Sequence, residues 1–252
     1  MRIDLNSDLG EGFGPWRMGD DAAILDVVTS ANVACGLHAG DPDIMVATAQ
    51  AARVRGVALG AHPGFADLQG FGRRVVRMGA RAIENLVAYQ VGALQACAAL
   101  AGHRVTYVKA HGALNNLQNA EAEVAAAVAR GVRGVDPRLV LVVMPGLPSE
   151  RGALEAGLAV AREVFADRAY AEDGQLASRA LPGAVIEDPD EAAARVAAMV
   201  AEGAVTTVSG RRLPVRIDTV CVHGDTPGAL ATARAVRRAL EAAGHALTPF
   251  AP

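Results

Sequence analysis

The sequence predicts an α/β fold, a barrel of parallel strands ringed by helices, on three observations. Short apolar runs alternate with helical stretches along most of the 252 residues, the rhythm of a parallel sheet with right-handed crossovers. Seven runs read as strands without a Rossmann glycine fingerprint, which favours a closed barrel over an open sheet. Five of the runs end in polar chemistry: IDLNSDLGEG from Ile3, NVACGLHAGD from Asn32, ALGAHPG from Ala58, TYVKAHGALNN from Thr106 and TVCVHGDTPG from Thr219. In a (β/α) barrel the carboxyl ends of the strands converge on one face, and catalytic groups come from several of them. Four of the six histidines (His38, His62, His111, His223) stand at such ends, so an enzyme is the leading expectation.

The expected strands are Arg2–Asp8, Val28–Ala34, Val57–Ala61, Val105–Lys109, Leu139–Val143, Ala159–Phe165 and Thr219–Val222. Between them, Asp41 followed by Pro42 reads as a helix N-cap with proline at the first helical position, and Gly56 stops that helix. Met78–Ala101 is an expected long helix ended by Gly102. Ala120–Val132 and Pro189–Ala201 are alanine-rich helices, and Thr226–Pro227 opens a last one that Gly244 closes. Val205–Val215 breaks the alternation and reads as a β-hairpin inserted near 205–215, turned at Ser209–Gly210. No proline- or serine-rich linker divides the chain, so one domain over residues 1–252 is expected. His103 and His245 follow helix ends and read as surface residues.

An apolar content of 52% supplies a sizeable core, and a net charge of −3 argues against a nucleic-acid-binding surface. No basic segment followed by an apolar signal region opens the chain, and no run is long and apolar enough to span a bilayer; a cytoplasmic protein is expected. Three scattered cysteines make no disulfide framework. Lys109 is the only lysine among 24 basic residues. That is conspicuous, because a buried lysine can exchange a proton and an arginine cannot readily do so.

Asp4, Asn6 and Asp8 alternate along the first strand, so their side chains share one side. Burying two carboxylates in an apolar core is costly, so that side must be polar, at least near its end. Asp8 and Glu11 make a candidate acid/base pair, while Asp4 and Asn6 read equally well as structural groups. Lys109 either pairs with Asp8 or Glu11 or works as an acid/base with a lowered pKa. The candidate catalytic set is Asp8, Glu11, His62, Lys109 and His111; the candidate substrate-binding set is Asn6, Asn32, His38, Arg73, His223 and Asp225. Arg73 stands in the glycine-rich run DLQGFGRR and could hold a carboxylate or phosphate, with Arg74 reading as the more solvated partner. The histidine spacing excludes a helical H-E-x-x-H zinc motif. Asp8, His62 and His111 on different strands would still suit a divalent cation, and that question stays open. There is no G-x-x-x-x-G-K-[ST] loop, so any ATP consumed is expected to bind another chain.

Taken together, DLNSDLGEGFG, SANVACGLHAGDP, GAHPGFADLQGFGRR, VKAHGALNN, EVFADRAY, SRALPGA and VHGDTPGA resemble the LamB/YcsF family. The blocks run in order from Asp4 to Ala229 and span nearly the whole chain. The resemblance implies a (β/α)7 TIM-like barrel of the glycoside hydrolase/deacetylase superfamily. It also implies the opening of 5-oxo-L-proline to L-glutamate with hydrolysis of ATP, together with 5-oxoprolinase subunits B and C; a homo-oligomer is left open. Two alternatives stand beside that reading: a metal-dependent carbohydrate deacetylase or hydrolase, and a non-catalytic scaffold within the complex. The chain departs from the family pattern at Ser7, Ala110 and Asn115, where cysteine, proline and tyrosine are usual. Ser7 excludes a thiol nucleophile at that position, and Asn115 bears on contacts with substrate or with partner chains.

Overall fold

Seven parallel strands close on themselves around a polar axis in the computed structural model, which describes residues 1–224 and 228–251. In chain order the elements begin β1 (Arg2–Leu9), α1 (Asp21–Leu25), β2 (Ser30–Ala34), α2 (Pro42–Val54), β3 (Ala58–His62) and α3 (Ala80–Leu100). They continue β4 (Val105–Val108), α4 (Gly112–Ala120), α5 (Ala122–Val135), β5 (Val140–Val143), α6 (Pro148–Glu155) and β6 (Ala159–Phe165). The last are α7 (Pro189–Glu202), β7 (Ala204–Thr206), β8 (Arg212–Pro214), β9 (Thr219–Val222), α8 (Ala229–Ala242) and β10 (Ala246–Leu247). The barrel runs β1-β2-β3-β4-β5-β6-β9 and is closed by the pairing of β9 with β1. β7 and β8 form the expected antiparallel hairpin outside it, and β10 adds two residues beside the start of β1.

The alternation read from β1 is what the barrel uses. Ile3, Leu5 and Leu9 join the apolar layer between strands and helices, whereas Asp4, Asn6 and Asp8 bond to side chains of other strands. Asp41 caps α2 by accepting from the Ile44 amide at 2.9 Å, with Pro42 in the first turn. β2 starts two residues later than expected, because the Val27 and Val28 amides still bond to the Ile24 carbonyl and close α1. Four elements were not expected: α1, α4, α6 and β10. α4 carries three asparagines, poor helix formers whose side chains compete with the backbone, yet Asn115 is buried there and accepts from both Gln118 and Asn119. α8 begins at Ala229; Thr226 and Pro227, expected to open it, lie outside the described residues. Among the described residues no helix is long and apolar enough to cross a membrane.

Gly60 lets β3 pass the ring of Tyr107 on β4. A Cβ there would fall 2.0 Å from the ring, and that ring is held by its hydroxyl, which donates to Asn32 Oδ1 at 2.8 Å. Gly60→Ala should therefore lower the urea-unfolding free energy by about 3 kcal/mol, the upper end of the usual overpacking cost. An unchanged midpoint would show that the ring moves freely.

Candidate active site

The interior of the barrel is a stack of polar layers. Lowest is Asp4, whose Oδ1 accepts from the Thr29 and Ser30 hydroxyls at 2.7 and 2.6 Å and whose Oδ2 accepts from the Thr219 hydroxyl at 2.5 Å. Above it Asn6 donates to Glu163 at 3.0 Å and to the Thr219 hydroxyl at 2.7 Å, and accepts from Asn32. Above that, Asp8 Oδ1 accepts from Asn32 at 2.8 Å and from the Lys109 ammonium at 3.0 Å. Lys109 also pairs with Glu163 at 2.9 Å and lies 3.0 Å from the Cys221 sulfur. The expected pairing of Lys109 with Asp8 is present; its second carboxylate is Glu163 rather than Glu11.

These contacts set the charges. Burial would push the Asp8 carboxyl up, but His62 and Lys109 outweigh it and hold it well below the ordinary carboxylate range. Burial would likewise lower the Lys109 ammonium, yet Asp8, Cys221 and Glu163 hold it well above its ordinary value. The lysine is thus a fixed cation, not a proton carrier with a lowered pKa. Asp8, so stabilised as a carboxylate, is an anchor and a poor base. Burial pushes the Asp4 carboxyl the other way, up to about 6, against its three hydroxyl donors.

A cavity of about 420 Å³ opens over Asp8, at the carboxyl ends of the strands. Asp8, His62, Lys109 and His111 line it, with Arg73, Arg168, Arg179, Asn115 and His223 on its walls. His62 Nδ1 bonds to the Lys109 carbonyl at 2.7 Å, and its Nε2 lies 3.3 Å from Asp8 Oδ2 and 3.2 Å from His111 Nδ1. His111 Nε2 bonds to the Phe71 carbonyl at 2.7 Å; burial, then His62, lowers this imidazole to about 3. Glu11, itself buried, approaches His111 Nδ1 at 3.7 Å. His223 Nδ1 bonds to both oxygens of Asp167, at 2.7 and 2.9 Å, which leaves Nε2 as its second nitrogen. Burial would raise the Asp167 carboxyl, but His223 beside it holds it below its ordinary value.

The cavity therefore gathers most, not all, of the expected residues. Asn6 and Asn32 lie one layer beneath the cavity and hold Asp8 and Lys109 in place, so they do not reach a ligand as expected. His38, also expected to contact substrate, is fully buried behind His111, stacked on it at 3.8 Å, and neither of its ring nitrogens has a hydrogen-bond partner. Asp225 lies outside the described residues; Asp167 orients His223. Arg73 faces the cavity across the Phe71 ring, whereas Arg74 pairs with Asp67 on the surface. Sequence reasoning missed Glu163, Asp167, Arg168 and Arg179. The run EVFADR at the end of β6 carried the first three, but only the barrel closure turns it inward. Arg168 bonds to the Ala177 and Ala184 carbonyls, and burial, with Arg179 next, lowers its guanidinium to about 10. Of the departures from the family pattern, Asn115 lines the cavity, while Ser7 is buried away from it, donating to the Val222 carbonyl at 2.6 Å.

Fold and cavity define a closed (β/α)7 barrel with a polar, strand-built pocket at its carboxyl face. The sequence matches the LamB/YcsF family over residues 3–252, and the chain belongs to that family. It is 59% identical over 252 residues to a Rhodopseudomonas palustris protein named as the A subunit of 5-oxoprolinase, covering 100% of this chain and 99% of that one. An Azorhizobium caulinodans protein of the same name is 57% identical over 250 residues, covering 99% of each. Among solved structures, the lactam utilization protein from Thermus thermophilus superposes with a TM-score of 0.94 at 46% identity, over 99% of this chain and 100% of that one.

The raised Asp4 gives a stability prediction. The folded state holds this proton up to about pH 6 and the unfolded chain only to its ordinary value of 3.8. Stability contributed by the bound proton is full below pH 3.8 and is lost as pH rises through 6, by up to about 3 kcal/mol. Urea unfolding of the wild type and Asp4→Asn across that window should show the wild type losing stability relative to the variant. Parallel profiles would remove this account of Asp4.

Proposed function

We propose that this chain opens the lactam of 5-oxo-L-proline to L-glutamate as the A subunit of an ATP-hydrolysing 5-oxoprolinase, with subunits B and C binding ATP. The names of its relatives support the reaction, and their naming as one component of a larger enzyme supports the assembly. The observation that carries the reading is the pairing, in one cavity, of a carboxylate-oriented His223 with the arginines Arg73, Arg168 and Arg179.

A lactam is an unactivated amide, so its carbonyl carbon must be made more electrophilic, as phosphorylation of its oxygen does, before water can open the ring. Partner subunits transfer phosphate from ATP to that oxygen. In this cavity water then adds to the activated carbon, the ring C–N bond breaks, and His223 delivers a proton to the departing nitrogen. A second water hydrolyses the resulting acyl phosphate to glutamate and inorganic phosphate. Guanidinium groups suit both anions of such a substrate, its carboxylate and its phosphate. Among the described residues the Arg168 guanidinium donates to the Ala184 and Ala177 backbone carbonyls. The Lys109 ammonium, paired with Asp8 and Glu163, holds the Asp8 carboxylate in place at the cavity floor.

Glutamate release should require ATP and both partner subunits; turnover by the isolated chain without them would remove the division of labour. Asp167→Asn should lower kcat of the assembled enzyme by about a hundredfold, within the usual range for losing a positioned acid or base, with KM little changed. An unaltered kcat would remove His223 as the proton carrier.

A further inference from the structure

We propose that Asp8, Glu11, His62 and His111 bind one first-row divalent transition cation of the zinc class at the floor of the cavity. Each offers one ligand atom, and the four atoms lie within 4.8 Å of one another. Neighbouring pairs are 3.3 Å apart (Asp8 Oδ2 to His62 Nε2), 3.2 Å (His62 Nε2 to His111 Nδ1) and 3.7 Å (His111 Nδ1 to Glu11 Oε1). Tetrahedral ligands at the usual zinc bond length of about 2.1 Å stand about 3.4 Å apart. These three spacings are close to that edge, and the remaining ones stay within 4.8 Å.

The tautomers make the stronger argument. A backbone carbonyl only accepts, so the ring nitrogens on the Lys109 and Phe71 carbonyls must carry hydrogen: Nδ1 of His62 and Nε2 of His111. In the neutral rings the opposite nitrogens then carry lone pairs. Those are the two nitrogens that face each other at 3.2 Å, with two carboxyls beside them. With both rings neutral, two lone pairs would point at each other, so the pair needs a shared proton or a shared cation between them, and the two carboxyls beside it favour the cation. A second ring nitrogen fixed on a carbonyl is also the usual support of a metal-binding histidine. Asp8 is divided in the same sense. Its Oδ1 takes Asn32 and Lys109, and its Oδ2 is turned to His62. Lys109 is shared between the buried carboxyls of Asp8 and Glu163, so a dication beside Asp8 also improves the charge balance. Two imidazoles with two carboxylates suit zinc, cobalt or manganese better than magnesium, which prefers oxygen and water.

The site itself does not depend on the reaction proposed above. Its use does: in lactam opening, such a cation would have to expand to a fifth position to polarise the reacting oxygen or acidify a bound water. The test is binding rather than turnover, so the two readings fail separately. Chelator-treated full-length protein is dialysed against Co²⁺ or Zn²⁺, metal per chain is measured by elemental analysis, and the visible absorption of the Co²⁺ form is recorded. One ion per chain is expected, with Co²⁺ d–d bands of a nitrogen–oxygen site. Glu11→Gln and His111→Gln should each weaken binding about tenfold or more, with circular dichroism checking that the variants fold. If either variant is unfolded, the wild-type stoichiometry and spectrum decide. A wild-type protein that takes up neither ion, or folded variants that bind like the wild type, would overturn the proposal and leave a proton shared between His62 and its neighbours as the occupant.

Discussion

One ammonium group inside the barrel holds this architecture together. Barrels of this kind are normally filled by layers of branched apolar side chains, but here the axis carries Asp4, Asn6, Asp8, Asn32, Glu163 and Thr219. Lys109 binds Asp8 from β1 and Glu163 from β6 and touches Cys221 from β9. Without it two buried carboxylates would face each other uncompensated, a defect that typically costs about 3–5 kcal/mol. The same contacts that make the lysine structural also fix its charge, so stability and electrostatics at the cavity floor have one cause.

The site divides into a rigid floor and a separate wall. The floor residues stand on strands or within three residues of strand ends, with the His62 and His111 rings pinned by backbone carbonyls. The wall with Arg168, Gln175 and Arg179 comes from the segment between β6 and α7. That segment is tied down by the Tyr170 hydroxyl, which accepts from the Phe165 amide at 2.8 Å, and by short bridges between Arg168 and Val185 and between Tyr170 and Leu176. The cavity floor thus stands on the least deformable part of the fold and the arginine wall on a loop, where contacts can be altered without disturbing the barrel. The cavity position of Asn115 follows the same division: α4 adjusts the wall and leaves the floor intact.

The seven strands and the polar face of β1 were legible because a period of two and clear helix punctuation are local signals. Asp8, His62, Lys109 and His111 were legible as a group because barrel topology sends every strand end to one pole. The roles within that group were not. Whether Lys109 is a cation or a proton carrier depends on Glu163 and Cys221, which are 54 and 112 residues away in the chain and adjacent only after closure. The burial of His38 behind His111 and the replacement of Glu11 by Glu163 as the lysine's second partner are likewise matters of packing.

The sequence by itself determined the strand count, the pole at which the chemistry gathers and the family, since each rests on residue order and short-range pattern. Only the tertiary structure decided which carboxyl meets which base, which histidine nitrogens carry hydrogen and which arginines face inward. Those depend on separations of a few ångströms between segments that the chain order leaves independent, and on the loss of water that makes each such contact strong.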